Sequence, residues 1–102
     1  MRRFGAKERW KHMKIEVRVP TILRVYTGDA KVVTAAGETV REVLINLDEN
    51  YPGISGRLMD GSELRRFINI YRNDDDVRFL AGLDTALAEG DTLTILPAVA
   101  GG

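Results

Sequence analysis

The residues best suited to chemistry are the last two of the chain, Gly101 and Gly102. Glycine has no Cβ atom, so it can enter a channel too narrow for other residues and adopt backbone angles that they avoid. The residues before this pair are small and uncharged, and the segment 98–102 would reach about 17 Å if extended. We therefore expect the α-carboxylate of Gly102 to be the most accessible carboxyl group. The full segment is Ala98, Val99, Ala100, Gly101 and Gly102.

This carboxylate needs help from another protein before it can react. A carboxylate is a poor electrophile because resonance spreads its charge, and the neighbouring residues offer no activating side chain. If ATP converted it to an acyl-adenylate, AMP would become a leaving group and a sulfur or nitrogen nucleophile could attack. The sequence therefore predicts a protein substrate and carrier rather than an enzyme. ATP would be used by the partner, and the chain itself would need no intrinsic cofactor.

The composition excludes most other chemistry. The chain has no cysteine and one histidine, His12, among 102 residues, which rules out disulfides and thiolate sites and disfavours histidine-based metal or acid–base sites. Three consecutive aspartates, residues 74–76, read as a turn rather than a cation site, because their spacing is not that of a calcium loop. No apolar run approaches the roughly 20 residues of a membrane span, and no signal peptide is evident. We expect a cytoplasmic protein with no metal, membrane or nucleic-acid partner.

The net charge of zero is the average of two unlike segments. Residues 1–13 carry five basic side chains and one acidic side chain, a net charge of +4, without helical or strand periodicity. The remaining residues carry 10 basic and 14 acidic side chains, a net charge of −4. We interpret residues 1–13 as a basic, disordered extension. The folded domain is then residues 14–97, followed by a flexible tail at 98–102.

The domain carries the patterns of an α+β fold. Alternating apolar residues predict a first strand that ends at Pro20, and Thr39 with Glu42 forms a capping box before an apolar helical stripe. The residues from 54 to 59 read as a short irregular or helical segment. The predicted elements are strands at 14–19 and 31–35, a helix at 40–50, strands at 67–71 and 77–79, a helical turn at 83–87 and a strand at 92–97.

This element order fits the β-grasp, or ubiquitin-like, arrangement, in which one main helix crosses one face of a mixed sheet. In that arrangement the first and last strands lie side by side and parallel in the middle of the sheet. The last strand should direct Leu93 and Ile95 to one face, and Pro97 should close it because proline lacks the amide donor. The C-terminal tail would then project beyond an edge of the sheet.

The sheet face opposite the helix is predicted to carry a semi-apolar patch that leads to the tail. An alternative remains open at this point, in which Phe67 or Tyr71 packs into the core and Ile68 or Ile70 is exposed. If the first assignment holds, the patch is a docking surface for a partner. The predicted partner-binding residues are Phe67, Tyr71, Thr94, Leu96, Pro97, Ala98, Val99, Ala100 and Gly101.

Several stretches resemble the MoaD/ThiS-type sulfur-carrier family, and within it the CysO-like branch. The resemblance spans essentially residues 14–102, whereas residues 1–13 depart from the family pattern. The longer loop at 56–66 favours the CysO-like branch. The resembling stretches are Val-Pro-Thr-Ile-Leu-Arg at 19–24, Phe-Ile-Asn-Ile-Tyr at 67–71 with Asn-Asp at 73–74, Asp-Val-Arg-Phe at 76–79, and Thr-Ile-Leu-Pro-Ala-Val-Ala-Gly-Gly at 94–102.

The resemblance implies a β-grasp fold and a defined reaction at Gly102. An activating enzyme of the E1-like (MoeB/ThiF) type would adenylate the carboxylate, and sulfur transfer would convert it to a thiocarboxylate. The thiocarboxylate would donate sulfur to a downstream synthase that makes cysteine or another sulfur-containing metabolite. Gly102 is thus the residue expected to carry the chemistry.

Two other functions are compatible with the same residues. The chain could be a ubiquitin-like modifier joined through Gly102 to lysines of other proteins, or a β-grasp binding module that uses only its sheet face. An independent enzyme is the least supported interpretation, because no nucleophile–base pair, phosphate-binding loop or metal-ligand spacing is present.

Overall fold

A computed structural model describes residues 14–97 of the chain. The predicted extension at 1–13 and the predicted tail at 98–102 lie outside the described residues. Regular elements follow one another in this order: β1 Lys14–Arg18, a 3-10 helix Thr21–Thr27, β2 Val32–Ala36, α1 Val40–Asn50, α2 Ile54–Leu58, β3 Met59–Asp60, β4 Glu63–Leu64, β5 Ile68–Arg72, β6 Asp75–Asp76, 3-10 turns Val77–Phe79 and Gly82–Asp84, and β7 Thr92–Pro97.

The main sheet has five strands in the order β2-β1-β7-β5-β6. The last strand, β7, is parallel to β1, with Leu93 opposite Val17, and antiparallel to β5, with Ile95 opposite Ile70. β1 and β2 form the predicted antiparallel hairpin. The predicted central parallel pairing, and with it the β-grasp arrangement, is confirmed. Strands β3 and β4 form a separate two-stranded hairpin.

The core lies between one face of this sheet and α1. The predicted stripe on α1, formed by Val40, Val43, Leu44 and Leu47, is completely buried. The capping box is also present: the Thr39 hydroxyl accepts a hydrogen bond from the Glu42 amide at 3.2 Å. The carboxylate of Glu42 accepts from the amide of Glu38 at 2.7 Å, one residue before the cap. The hydrogen bonds of the cap and the buried apolar stripe therefore both place the first residue of α1 at Val40.

Three segments between the main elements differ from the sequence-based expectation. The return strand predicted at 77–79 is wrong: the strand is β6, and the next three residues form a 3-10 turn. The Asp76 carboxylate accepts from the Arg78 amide at 2.9 Å, and this cap starts the turn. The loop expected between β1 and β2 contains the 3-10 helix Thr21–Thr27, and the helical turn expected at 83–87 is centred earlier, at Gly82–Asp84.

The end of α1 is tied to α2 through one carboxylate. An Asp48 oxygen accepts hydrogen bonds from the Ser55 amide at 3.1 Å and from the Gly53 amide at 3.0 Å. Hydrogen bonds from Ser55 chiefly hold the pKa of Asp48 below its ordinary value; burial opposes them, and the hydrogen bond from the Gly53 amide adds a further lowering. Asp48 thus takes the place of the missing side-chain cap at the start of α2.

Replacing Asp48 by alanine should lower the free energy of unfolding by about 1 kcal/mol at neutral pH, as for other lost helix caps. Because the folded-state pKa is lowered, the contribution of Asp48 is present above the unfolded-state pKa of about 3.9. It is lost as the pH falls through the folded-state value. Urea unfolding of wild type and Asp48→Ala from pH 7 to pH 2 measures this difference.

The matched control is Asp74→Ala, since the Asp74 side chain is exposed and makes no hydrogen bond within residues 14–97. This variant should unfold like the wild type at every pH. A gap between wild type and Asp48→Ala that stayed constant down to pH 2 would contradict the role of the ionised carboxylate.

Candidate functional site

The candidate site is the end of β7, where the chain leaves the sheet. Along β7, Leu93 and Ile95 are buried against the core, while Leu96 is 45% exposed on the opposite face. Pro97 is the last residue of the strand and lies opposite Ile68 of β5. The ladder of β7 with β1 ends at Thr94, whereas its ladder with β5 continues to Pro97, so β5 fixes the point from which residues 98–102 start.

The predicted patch residues within the described chain share the sheet face opposite α1. Tyr71 and Thr94 are half-buried register partners, and Leu96 lies opposite Asn69. Phe67 is 56% exposed and directly precedes β5. Ile68 and Ile70 are buried, so the alternative face assignment is wrong. The structure thus brings Tyr71 and Thr94 together and sets Phe67 and Leu96 nearer the tail end. Ala98, Val99, Ala100, Gly101 and Gly102 lie outside the described residues.

The same end of the sheet carries basic residues that the sequence pattern did not single out. One shallow cleft, which we call the β1-side cleft, lies at the end of β1 beside the last residues of β7 and contains three cations but no acidic side chain. A second, the β5-side cleft, lies between the 3-10 helix, α2 and the start of β5 and contains two cations. The cations are Arg18, Arg24 and Lys31 in the first cleft and Arg57 and Arg65 in the second.

These residues were missed because they are scattered along the chain and converge only through strand pairing. Arg18 ends β1, whereas Lys31 precedes β2, and the antiparallel hairpin brings these positions to the same end of the sheet. They could have been found from the basic residues at the ends of the predicted strands, because the strand directions show which of these ends meet at one end of the sheet. Arg66 adds a further cation here, with its guanidinium 5.8 Å from the centre of the Phe67 ring.

The part of the chain that the structure describes contains no cluster of side chains suited to bind a metal ion. Among residues 14–97, no group of three or more histidine, cysteine, aspartate or glutamate residues is arranged to hold a metal ion. In the acidic run at 74–76, Asp74 lies in the turn between β5 and β6, Asp75 and Asp76 form β6, and Asp76 also caps the following 3-10 turn. In the same range, no helix has both the length and the apolarity needed to cross a membrane.

Comparison with known proteins places this geometry in a family. The model of the ThiS family matches residues 17–102, which include the end of β1, all of β7 and the glycine end. The chain belongs to the ThiS family. The sulfur carrier protein CysO of Mycobacterium tuberculosis is 58% identical to this ThiS-family chain over 93 residues, which cover 88% of the chain and 100% of the relative.

Solved structures agree with this assignment. A chain of the crystal structure of the Amycolatopsis orientalis BexX/CysO complex is 52% identical, with a TM-score of 0.82, covering 86% of this chain and 99% of the other. A more distant relative, the small archaeal modifier protein 3 of Haloferax volcanii, is 34% identical over 92 residues, 88% of this chain and 100% of the relative. The ThiS-family chain is therefore a CysO-like sulfur carrier, a protein substrate rather than an enzyme.

Because Ile70 faces the core and Phe67 faces solvent, we expect their replacement by alanine to have different effects on the free energy of unfolding. Ile70→Ala should lower the free energy of unfolding by about 2–5 kcal/mol, because it removes buried methyl groups and leaves a cavity. Phe67→Ala should change it by about 0.5 kcal/mol or less, because the ring is mainly in water. Chemical denaturation of both variants checks the prediction, which a larger loss for Phe67→Ala would contradict.

Proposed function

We propose that the chain carries sulfur as a thiocarboxylate on Gly102, formed by an E1-like (MoeB/ThiF-type) activating enzyme. The observation that carries this proposal is the position of β7. It ends in Pro97 at the margin of the sheet, so five small residues remain to reach into the active site of a partner. Membership of the ThiS family and the 58% identity to a sulfur carrier protein support it.

The reaction proceeds in two steps at the carbonyl carbon of Gly102. First, the carboxylate attacks the α-phosphorus of ATP, which releases pyrophosphate and leaves an acyl-adenylate. Second, a sulfide equivalent supplied through the activating enzyme attacks the carbonyl carbon, and AMP leaves with the former carboxylate oxygen. The product is a thiocarboxylate whose sulfur is a stronger nucleophile than the original oxygen. ATP is thus a substrate of the partner, and no residue of the described domain acts as acid or base.

The folded domain serves to present and to position the tail. Glycine at 101 and 102 lets the end pass through a narrow channel, and the small residues at 98–100 add reach with little bulk. The patch of Phe67, Tyr71, Thr94 and Leu96 forms the docking surface, continuous with Pro97 at the start of the tail. After activation, the same tail delivers sulfur to a downstream synthase. The solved complex of CysO with BexX supports such a second partner for a protein similar to this chain.

The chemical step is tested by incubating the full chain with an E1-like activating enzyme, ATP and a sulfide source. Intact mass spectrometry should show one oxygen atom replaced by sulfur. The chain lacking Gly101 and Gly102 is the control and should stay unchanged, since a different carboxylate would end a shortened tail. Loss of the reaction when ATP is omitted, together with release of pyrophosphate and AMP when ATP is present, would support adenylation.

A second candidate function is conjugation to lysines, which the similarity to the Haloferax volcanii modifier protein favours. Both functions require adenylation, so the glycine end does not separate them. Unchanged intact mass together with lysine-linked conjugates would replace the carrier proposal by the modifier. A pure binding module would instead keep its partner affinity after deletion of Gly101 and Gly102.

The docking surface is tested by replacing Phe67 with alanine. Because exposed aromatic side chains contribute strongly to interfaces, the KM of the activating enzyme for the chain should rise about tenfold, with kcat unchanged. Phe79→Ala is the matched control, since Phe79 is 86% exposed and lies beyond β6 rather than beside β7. Equal KM values for the two variants would contradict docking through this face.

A further inference from the structure

The end of the domain from which the tail departs has two clefts that are lined by basic but not by acidic side chains. Acidic residues lie at the far end, in the turn between β5 and β6, in β6 and in the turn before β7: Asp74, Asp75, Glu89 and Asp91. Neither of the two clefts at the tail end contains an acidic side chain, although residues 14–102 carry a net charge of −4. The two clefts are therefore locally basic on a domain that is acidic as a whole.

Two of these cations, Arg24 and Arg65, are held in place by the backbone. The Nε atom of Arg24 donates to the Val19 carbonyl at 3.0 Å, and the Nε atom of Arg65 donates to the Gly56 carbonyl at 3.0 Å. Within residues 14–97, the terminal amino groups of both side chains have no hydrogen-bonding or ion-pair partner. Each guanidinium group is thus fixed at one nitrogen while its other two remain available.

Such an arrangement favours carboxylates. A guanidinium group presents parallel N–H donors whose spacing matches the two oxygens of a carboxylate. Because the Nε bond already restricts each side chain, less conformational entropy is lost when a ligand binds. Lys31, in the same cleft as Arg24, is exposed and makes no ion pair in the described chain. The ammonium group of Lys31 therefore adds positive charge to the cleft, but no hydrogen bond in the described range orients it.

The two arginines lie on opposite sides of the tail's starting point. Arg24 lines the β1-side cleft together with Thr94 and Leu96 of β7. Arg65 lines the β5-side cleft together with Ile68, the register partner of Pro97. A partner surface that surrounds the point where Pro97 ends β7 would border both clefts, so acidic groups on either side of its channel would meet both arginines.

We propose that Arg24 and Arg65, supported by Lys31, bind carboxylates that border the channel of the activating enzyme. The inference rests on the proposed function and adds the chemistry of the partner surface: aspartate and glutamate side chains on both sides of the entrance. A protein fits better than a nucleic acid, because the acidic far end of the domain would repel an extended polyanion.

The test compares charge reversals at the two ends of the domain. Arg65→Glu and Arg24→Glu should each raise the KM of the activating enzyme for the chain about tenfold with kcat unchanged, because like charges would then face each other. Both variants should also weaken the dependence of KM on salt concentration. Lys14→Glu changes the net charge equally but lies at the far end of β1, so its KM should change by about twofold or less.

Folding of each variant is checked by circular dichroism, because the half-buried Arg24 also supports the Val19 carbonyl. If Arg24→Glu does not fold, Arg24→Lys replaces it. This variant keeps the charge but loses the paired donors, so its KM should lie between the KM of the wild type and the KM of Arg65→Glu. Equal changes for Lys14→Glu and Arg65→Glu would overturn the proposal, since they would show an effect of net charge alone. Unchanged KM for Arg65→Glu would overturn it as well.

A second measurement separates this inference from the proposed function. The full chain, labelled with nitrogen-15, is titrated with a hexaglutamate peptide at low salt and observed by amide NMR. Shifts confined to residues 19–32 and 56–68, and abolished in Arg65→Glu, would support the acidic partner even if no thiocarboxylate formed. Shifts that are absent or spread over the domain would overturn it. Stronger shifts with a short DNA duplex than with the peptide would reassign the surface to nucleic acid.

Discussion

The insertion of the last strand between β1 and β5 is the constraint on which the rest of the structure depends. Leu93 and Ile95 complete the core, so folding cannot finish until the end of the chain is in place. The same insertion leaves one strand face in solvent and fixes Pro97 at the sheet margin. The stability of the core and the presentation of the tail are therefore consequences of the same inserted strand.

The sequence predicted the parts of the fold where a residue's environment depends on near neighbours. Period-two alternation placed Leu93 and Ile95 inside, and proline at 97 marked the end of the strand. The helix at 40–50 followed from its apolar stripe and from Thr39, whose hydroxyl caps it. Of the candidate site, the face that carries Phe67 and Leu96 could be read from the same alternation, once one face was assigned to the core.

Features that depend on contacts between residues far apart in the sequence could not be predicted from local patterns. Arg24 and Arg65 are far apart in the chain, and their approach to β7 requires the strand order and the carbonyl groups that hold them. The segment after β6 also misled, because valine and phenylalanine at 77 and 79 suit a strand, yet the Asp76 carboxylate caps a 3-10 turn there. Local propensity was outweighed by one side-chain hydrogen bond and the burial of Val77.

The parallel alignment of β7 with β1 also determines how the domain responds to mechanical force. A pull on the end of the chain acts along β7, parallel to its ladders with both neighbours, so many hydrogen bonds resist together in shear. An edge strand such as β6, which pairs on one side only, could instead be peeled away one bond at a time. An enzyme can therefore pull on the tail during a reaction cycle while the domain stays folded.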